Sequence, residues 1–314
     1  EAAINLEISN LLGRNWSDIY TSARKNLAIL VPHSNGIFIG LKKRPGYADS
    51  LGWKIRDSLL LRFKAYYLLM MAYEQMTSTP ETEKELALLK EEAVILQNLF
   101  RDTEVTLMLR SISKERVAAQ LLYHHAKNLV HRIQQTENKE YVVWSGYEGH
   151  SIFVDIIKAG EGEEEKFYPK INNLGAGVFR HQNHRVDERT LYFPCLLTAQ
   201  GLNKQELEEY LETLLKVRTD RTINRKKALN KIYAGVTQCV DHRSKKTGLT
   251  SALKKHTATW EAERKQQTTS CLLRSYAVSS KSRLNKSLKS PGFFKSVEDG
   301  HLKMRDFLDK YGLN

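Results

Sequence analysis

From Thr79-Pro80 to about Asp102, apolar residues recur every three or four positions, with Leu86, Leu89, Val94, Leu96, Leu99 and Phe100 set among charged ones. That spacing predicts an amphipathic helix. Thr79 suits its cap, and Pro80 suits a first turn whose amide has no helical partner. A similar pattern from Gly52 to Met76 and another from about Thr103 or Ser113 to Gln135 predict helices on either side, so 52–135 reads as a helical layer packed on, or inserted before, the rest. Ahead of it, one or two short N-terminal helices lead into LAILV-HSNG-IFIGL, two β-rich runs around Asn35-Gly36 that read as a hairpin.

At Tyr141 the period drops to two. YVVW, GHSIFVDII and EKFYPKI, separated by SGYEG and by the acidic AGEGEEE, predict an antiparallel meander. After NNLGAG, the stretch FRHQNHRVDERT reads as a basic loop leading to LYFPCLL, a short apolar strand. From Asn203 the helical spacing returns in KQELEEYLETLLKV, acidic early and basic late, as the helix dipole favours. Further helical stretches are expected at 222–240 and 247–265, with another beginning near Ser270. The whole reads as α+β: a central antiparallel β-sheet and a Cys-bearing helix, wrapped by a mainly helical layer. Three segments follow, 1–51, 52–135 and 136–314, the last with a helical insertion at 203–260.

Composition narrows the function classes. The 314 residues, 41% hydrophobic with 6 Pro and 17 Gly, describe a globular chain rather than a disordered or fibrous one. The longest apolar runs, at Leu27 and Tyr66, fall short of the roughly 18–20 residues of a bilayer span, so no transmembrane segment is expected and the chain reads as soluble. Cys195, Cys239 and Cys271, odd in number and widely spaced, read as reduced thiols. The chain opens on Glu1 without a leader pattern, which reads as a piece trimmed from a longer protein.

The net charge of +13 is unevenly placed, because residues 216–314 hold 23 Lys and Arg against 8 Asp and Glu, leaving the first 215 slightly acidic. A basic third points to an anionic partner: an acidic protein, an anionic membrane lipid or, less well, nucleic acid. The clusters at Lys226, Lys227, Lys245, Lys246, Lys254 and Lys255 are the candidate docking residues. They lack the interleaved aromatics of a single-strand binder, which counts against nucleic acid.

Four features in chain order suggest thiol chemistry: His150 opening a strand, Asn172-Asn173 closing the next, Gln266/Gln267, and Cys271 ahead of a helix-compatible run. A cysteine in the first turn of a helix gains thiolate stability from the dipole and from free backbone N–H groups, which can also donate to an oxyanion. A neighbouring imidazole takes its proton, and a carboxamide or carboxylate fixes the imidazole's tautomer. Cys195, inside YFPCLL, reads as core. Cys239 in TQCVDH is a rival nucleophile without a supporting strand. His124, His125 and His131, and the pair His181 and His184 followed by Asp187, invite a metal reading, but no zinc-hydrolase motif accompanies them, and neither metal nor cofactor is expected.

The segments GHSIFVDI, KFYPKINNL and QQTTSC resemble the His strand, the following strand and the Gln-to-Cys loop of the Ulp-type clan of cysteine peptidases. That clan includes ubiquitin-like deconjugating enzymes, YopJ-type effectors and other secreted bacterial effector proteases. The resemblance implies His150 as base, Asn172 as its orienting residue, Gln266 as oxyanion donor and Cys271 as nucleophile, with Asn173 and Gln267 as alternates. It departs from the family in having Asn for the usual carboxylate, Ser151 after the His and Leu272 after the Cys. The substrate it implies is the tail of a ubiquitin-like or other host protein, and the same site could run acyl transfer; a secreted effector would act inside a host cell. From another class stands a non-catalytic protein that docks on an acidic partner through its basic third.

Overall fold

A computed structural model describes residues 80–137, 139–160, 162–186, 189–236, 263–264, 275–276, 278–280 and 283. The expected hairpin near Asn35 and the helix at 52–76 lie outside the described residues, as do Cys239, Lys245, Lys246, Lys254, Lys255, Gln266, Gln267 and Cys271. The chain divides into two compact units, one of Asp102–Ser282 and one of Glu1–Arg101 with Arg283–Asn314.

Helix α1, Pro80–Ser111, runs without a break through the position near Asp102 where the apolar spacing suggested an end. Asp102 is not a terminator because its carboxylate is matched: Tyr141 Oη donates to it at 2.6 Å and Arg132 pairs with it at 2.5 Å. Helix α2, Glu115–Gln135, follows after three residues. In the unit that contains the N-terminal part of α1, the Glu92 carboxylate receives two bonds from the Arg283 guanidinium, at 2.6 and 2.7 Å. Such a bidentate, half-enclosed pair is worth more than an exposed one.

The larger unit is built on the meander. Strands β1 (Glu140–Tyr147), β2 (His150–Ala159) and β3 (Lys166–Asn172) pair antiparallel in sequence order, and β6 (Cys195–Leu197) adds beside β3. The β1–β2 connection is the two-residue turn Glu148-Gly149, with Tyr147 paired to His150 and Gly149 at φ 75°. The expected basic loop is instead a second hairpin. Strands β4 (Asn183–Val186) and β5 (Arg189–Tyr192) pair with each other, and β5 also pairs with β7 (Glu263–Arg264). LYFPCLL is therefore divided at Phe193-Pro194 between two sheets, and residues 263–264 are strand rather than the end of a helix. Proline supplies no amide for a ladder, which makes 194 a natural point of exchange.

Helix α3 (Lys204–Thr219) opens with a reciprocal box: Asn203 Oδ1 accepts from the Glu206 amide at 2.9 Å and Glu206 Oε2 accepts from the Asn203 amide at 2.8 Å. Helix α4 (Arg225–Ala234) is capped by Asn224, which accepts from the Lys227 amide at 2.9 Å. Cross-strand partners share a face of the sheet. One face, with Val143, Val154, Ile156 and Ile171, is buried beneath Leu129 and Ile133 of α2, Leu211 and Leu214 of α3, and Ile232 of α4. Each such side chain contributes roughly 1.5–3 kcal/mol by leaving water. The opposite face carries Trp144, Phe153, Asp155, Lys170 and Asn172 and receives the helical residues 275, 276 and 278–280.

Candidate functional site

His150 starts β2 immediately after the tight turn, so its ring emerges at the rim of the sheet on the face covered by α3 and α4. It is 6% exposed. Tyr147, its cross-strand partner, lies with its ring centroid 5.4 Å from the imidazole. On the other side the backbone of Gly175 presses against the ring; a Cβ there would sit 2.5 Å from His150 Cε1. Burial, only partly offset by the Asn173 hydrogen bond, lowers the His150 pKa to about 4, with Arg225 and Arg218 pushing the same way as burial. The imidazole is therefore neutral at physiological pH.

The carboxamide beside it belongs to Asn173. Asn173 Oδ1 lies 3.2 Å from His150 Nε2 and also accepts from the Gly175 amide at 2.9 Å. Asn172, expected from the family pattern to be the orienting residue, is turned the other way because side chains alternate along β3. It shares a face with Phe153, donates to Phe153 O and Lys170 O at 3.3 and 3.4 Å, and accepts from Cys195 Sγ at 3.2 Å. Asn173, one residue past the strand, falls on the His150 side.

Behind Asn173 lies a chain of buried polar groups. Asn173 Nδ2 donates to Ala176 O at 2.8 Å and to Tyr233 Oη at 3.0 Å. Tyr233 Oη is 2.8 Å from His181 Nε2, and His181 Nδ1 is 2.8 Å from Phe193 O. His181, expected at most as half of an HxxH pair, is thus engaged with Tyr233 and the 193 carbonyl, while His184 lies on β4. Sequence pattern gave no pointer to Tyr233, which lies on the buried side of α4 with Ala228, Leu229 and Ile232.

The helical residues that follow Cys271 in the chain dock on the opposite face of β2, the His-bearing strand. Ser275 Oγ donates to Ser151 O at 3.4 Å, the Tyr276 and Phe153 rings meet edge to face at 5.3 Å, and Ser279 Oγ donates to Asp155 Oδ1 at 2.7 Å. From Ser275 to Ser279 the helix advances in the same sense as β2 from Ser151 to Asp155. Ser275 thus lies at the Ser151 end of the strand and Ser279 at Asp155. Beneath it, Lys170 is fully buried, 2.8 Å from Asp155 Oδ2 and 3.4 Å from Glu140 Oε2. Burial opposes the ammonium charge, but the two carboxylates outweigh it and hold its pKa above the ordinary lysine range.

Cys195 is buried on that same face, against Leu174 and Val278, as expected of a core thiol. Lys226 and Lys227 are exposed in the first turn of α4. No cluster of three His, Cys, Asp or Glu side chains suited to a metal occurs among the described residues. Among them, too, no helix is long and apolar enough to cross a membrane. No family model matches the chain, and no curated protein or solved structure matches it either.

Proposed function

We propose that the chain is a cysteine protease-like enzyme in which His150 is the base, Asn173 orients it and Cys271 is the nucleophile. The supporting observation is the 3.2 Å contact between Asn173 Oδ1 and His150 Nε2 at the ends of neighbouring strands. It supplies the imidazole–carboxamide half of a thiol site, in the chain order that the resemblance implies. Covalent geometry adds a second support. Cys271 precedes Ser275 by four residues, so their Cα atoms lie within about 14 Å, and Ser275 is bonded to the residue after His150. The imidazole faces α4 while residues 275, 276 and 278–280 cover the other side, so catalysis requires the thiol to reach the ring around the turn end of the β1–β2 hairpin.

In the proposed reaction His150 takes the Cys271 proton, the thiolate adds to an acyl carbonyl, and Gln266 with the Cys271 amide holds the resulting oxyanion. His150 then protonates the leaving amine, and water releases the acyl group from sulfur. A substrate such as the tail of a ubiquitin-like or other host protein follows from the family resemblance, as does a role as a secreted bacterial effector; with an acyl-CoA donor the same groups would carry out transfer.

The test is chemical. An electrophilic thiol probe should label Cys271 much faster than Cys239, and H150Q and N173A should each abolish that advantage. Equal rates at Cys271 and Cys239, unaffected by H150Q, would remove the basis for an enzyme.

A second reading is favoured by the exposed Arg225, Lys226 and Lys227 that open α4. They belong to the basic third and could dock on an acidic partner without catalysis. Binding that persists unchanged as salt is raised would refute an electrostatic docking surface.

A further inference from the structure

The segment that carries Asn173 continues alongside α4. A Cβ on Gly177 would lie 2.8 Å from Leu229 Cδ2, and the single turn Val178–Arg180 follows at once, so Phe179 and Arg180 come to lie beside that helix. The Arg180 guanidinium stacks on Tyr233, 5.2 Å from the ring centroid, and lies 5.9 Å from the Phe179 ring. Its Nη2 donates to Asn230 Oδ1. Spacings of three and four place Lys227 and Lys226 on the same side of α4 as Asn230, and all three are exposed. Phe179 is 56% exposed, although an aromatic ring has much to gain from cover.

Cations elsewhere in the unit are matched. Arg110, Arg132 and Lys170 have carboxylate partners, and Arg218 and Arg221 donate to backbone carbonyls. Arg180 meets no carboxylate among the described residues, and its Nε is enclosed without a hydrogen-bond partner. Arg225 and Lys226 form no ion pair among the described residues either. Lys227 has Asp220 within its field, but that carboxylate is already bonded to Thr222 N and Oγ1 at 2.8 and 2.7 Å. A guanidinium partly withdrawn from water and steadied by a ring and a carboxamide has little freedom left to lose when a carboxylate arrives.

We propose that Phe179, Arg180 and the exposed side of α4 at Lys226 and Lys227 form a docking surface for an acidic protein segment, in which the cations pair with carboxylates and Phe179 is covered by an apolar side chain set among them. It rests on the reading of the start of α4 as a docking surface, to which it adds an aromatic anchor and the class of partner. An aromatic ring next to an arginine, rimmed by polar groups, is the make-up of a protein contact centre. Nucleic acid calls for several rings under successive bases, and a lipid surface for a group of apolar side chains at one level. The other large apolar side chains exposed among the described residues lie on α1 and α2. Arg225, in the first turn of the same helix, is near enough to bear on the charge of His150, so a segment docked here lies beside the imidazole.

The experiment is fluorescence anisotropy on the full chain at low salt with two labelled probes: a peptide of Glu residues with a central Leu, and the same peptide with Gly in that place. Phe179 and both lysines are exposed, so their variants leave the core intact. The Leu peptide should bind more tightly than the Gly peptide. F179S should weaken the Leu peptide by about tenfold and the Gly peptide hardly at all, whereas K226E/K227E should weaken both. Equal binding of the two peptides, or tighter binding of oligouridine or of phosphatidylserine vesicles than of the Leu peptide, would overturn the proposal. If K226E/K227E releases the Leu peptide while F179S does not, the electrostatic reading stands and the aromatic anchor falls. If neither peptide binds, or charge reversal changes nothing, both fall.

Discussion

Asn173 and His150, 23 residues apart, are brought to 3.2 Å because β2 and β3 pair with Phe153 opposite Asn172, which leaves the next residue free to fold back over the strand end. N173A should slow the His150-dependent labelling of Cys271 by at least about tenfold, in keeping with the usual value of a positioned base. N172A should lower stability by about 1–3 kcal/mol through loss of its hydrogen bonds to Phe153 O, Lys170 O and Cys195 Sγ while leaving the preference for Cys271 over Cys239 intact. Probe kinetics and urea melts of the two variants separate these effects.

Gly175 is a second control on the same ring. In G175A the new methyl meets His150 Cε1, so the imidazole must move away from Asn173. A misplacement near 1 Å is enough to reduce a positioned reaction by up to about 100-fold. The expected outcome is loss of Cys271 labelling in a chain whose circular dichroism is unchanged; wild-type labelling would show that the ring has room to spare.

Acid should destabilise the protein in a defined window. His150 and His125 are both lowered by burial from 6.5 to about 4. Between those values the unfolded chain binds protons that the folded chain does not, so stability is full above about pH 6.5 and is lost as pH falls toward 4. Each contributes on the order of 3 kcal/mol across the window. Urea midpoints measured from pH 7 to 4.5 should fall steeply, and less steeply in H125Q.

Lys170 offers a test of the opposite face. K170M removes the Lys170 ammonium from beside the buried Asp155 and Glu140, and breaking such a pair costs roughly 3–5 kcal/mol. The double variant K170M/D155N should recover part of that loss in chemical denaturation. A neutral K170M would mean that water already reaches the carboxylates.

The strand period in YVVW and GHSIFVDII made the meander legible, and the apolar spacing and acidic-to-basic run after Asn203 placed α3, because both signals are local. Lys170 was not legible. In KFYPKI it looks like an alternating surface residue, and only pairing with Asp155 of the neighbouring strand explains its burial. Asn172 and Asn173 differ in role through strand alternation alone, which composition does not carry. The hairpin of β4 and β5 was hidden by charge: RHQNHRVDERT is polar because Asn183, Arg185, Arg189 and Thr190 are exposed, not because it lacks strand structure.

The ion cluster of Lys170, Asp155 and Glu140 also sets how tightly the face beneath 275–280 resists being uncovered. An all-apolar face would lose free energy over its whole area on meeting water, whereas these three charged groups would regain hydration. Among the described residues, the attachment of that helix therefore concentrates in the Ser275 hydroxyl on Ser151 O, Tyr276 against Phe153, Val278 against Leu174 and Cys195, and the Ser279 hydroxyl on Asp155. Among these residues, a few discrete contacts rather than a broad greasy surface act as its fasteners.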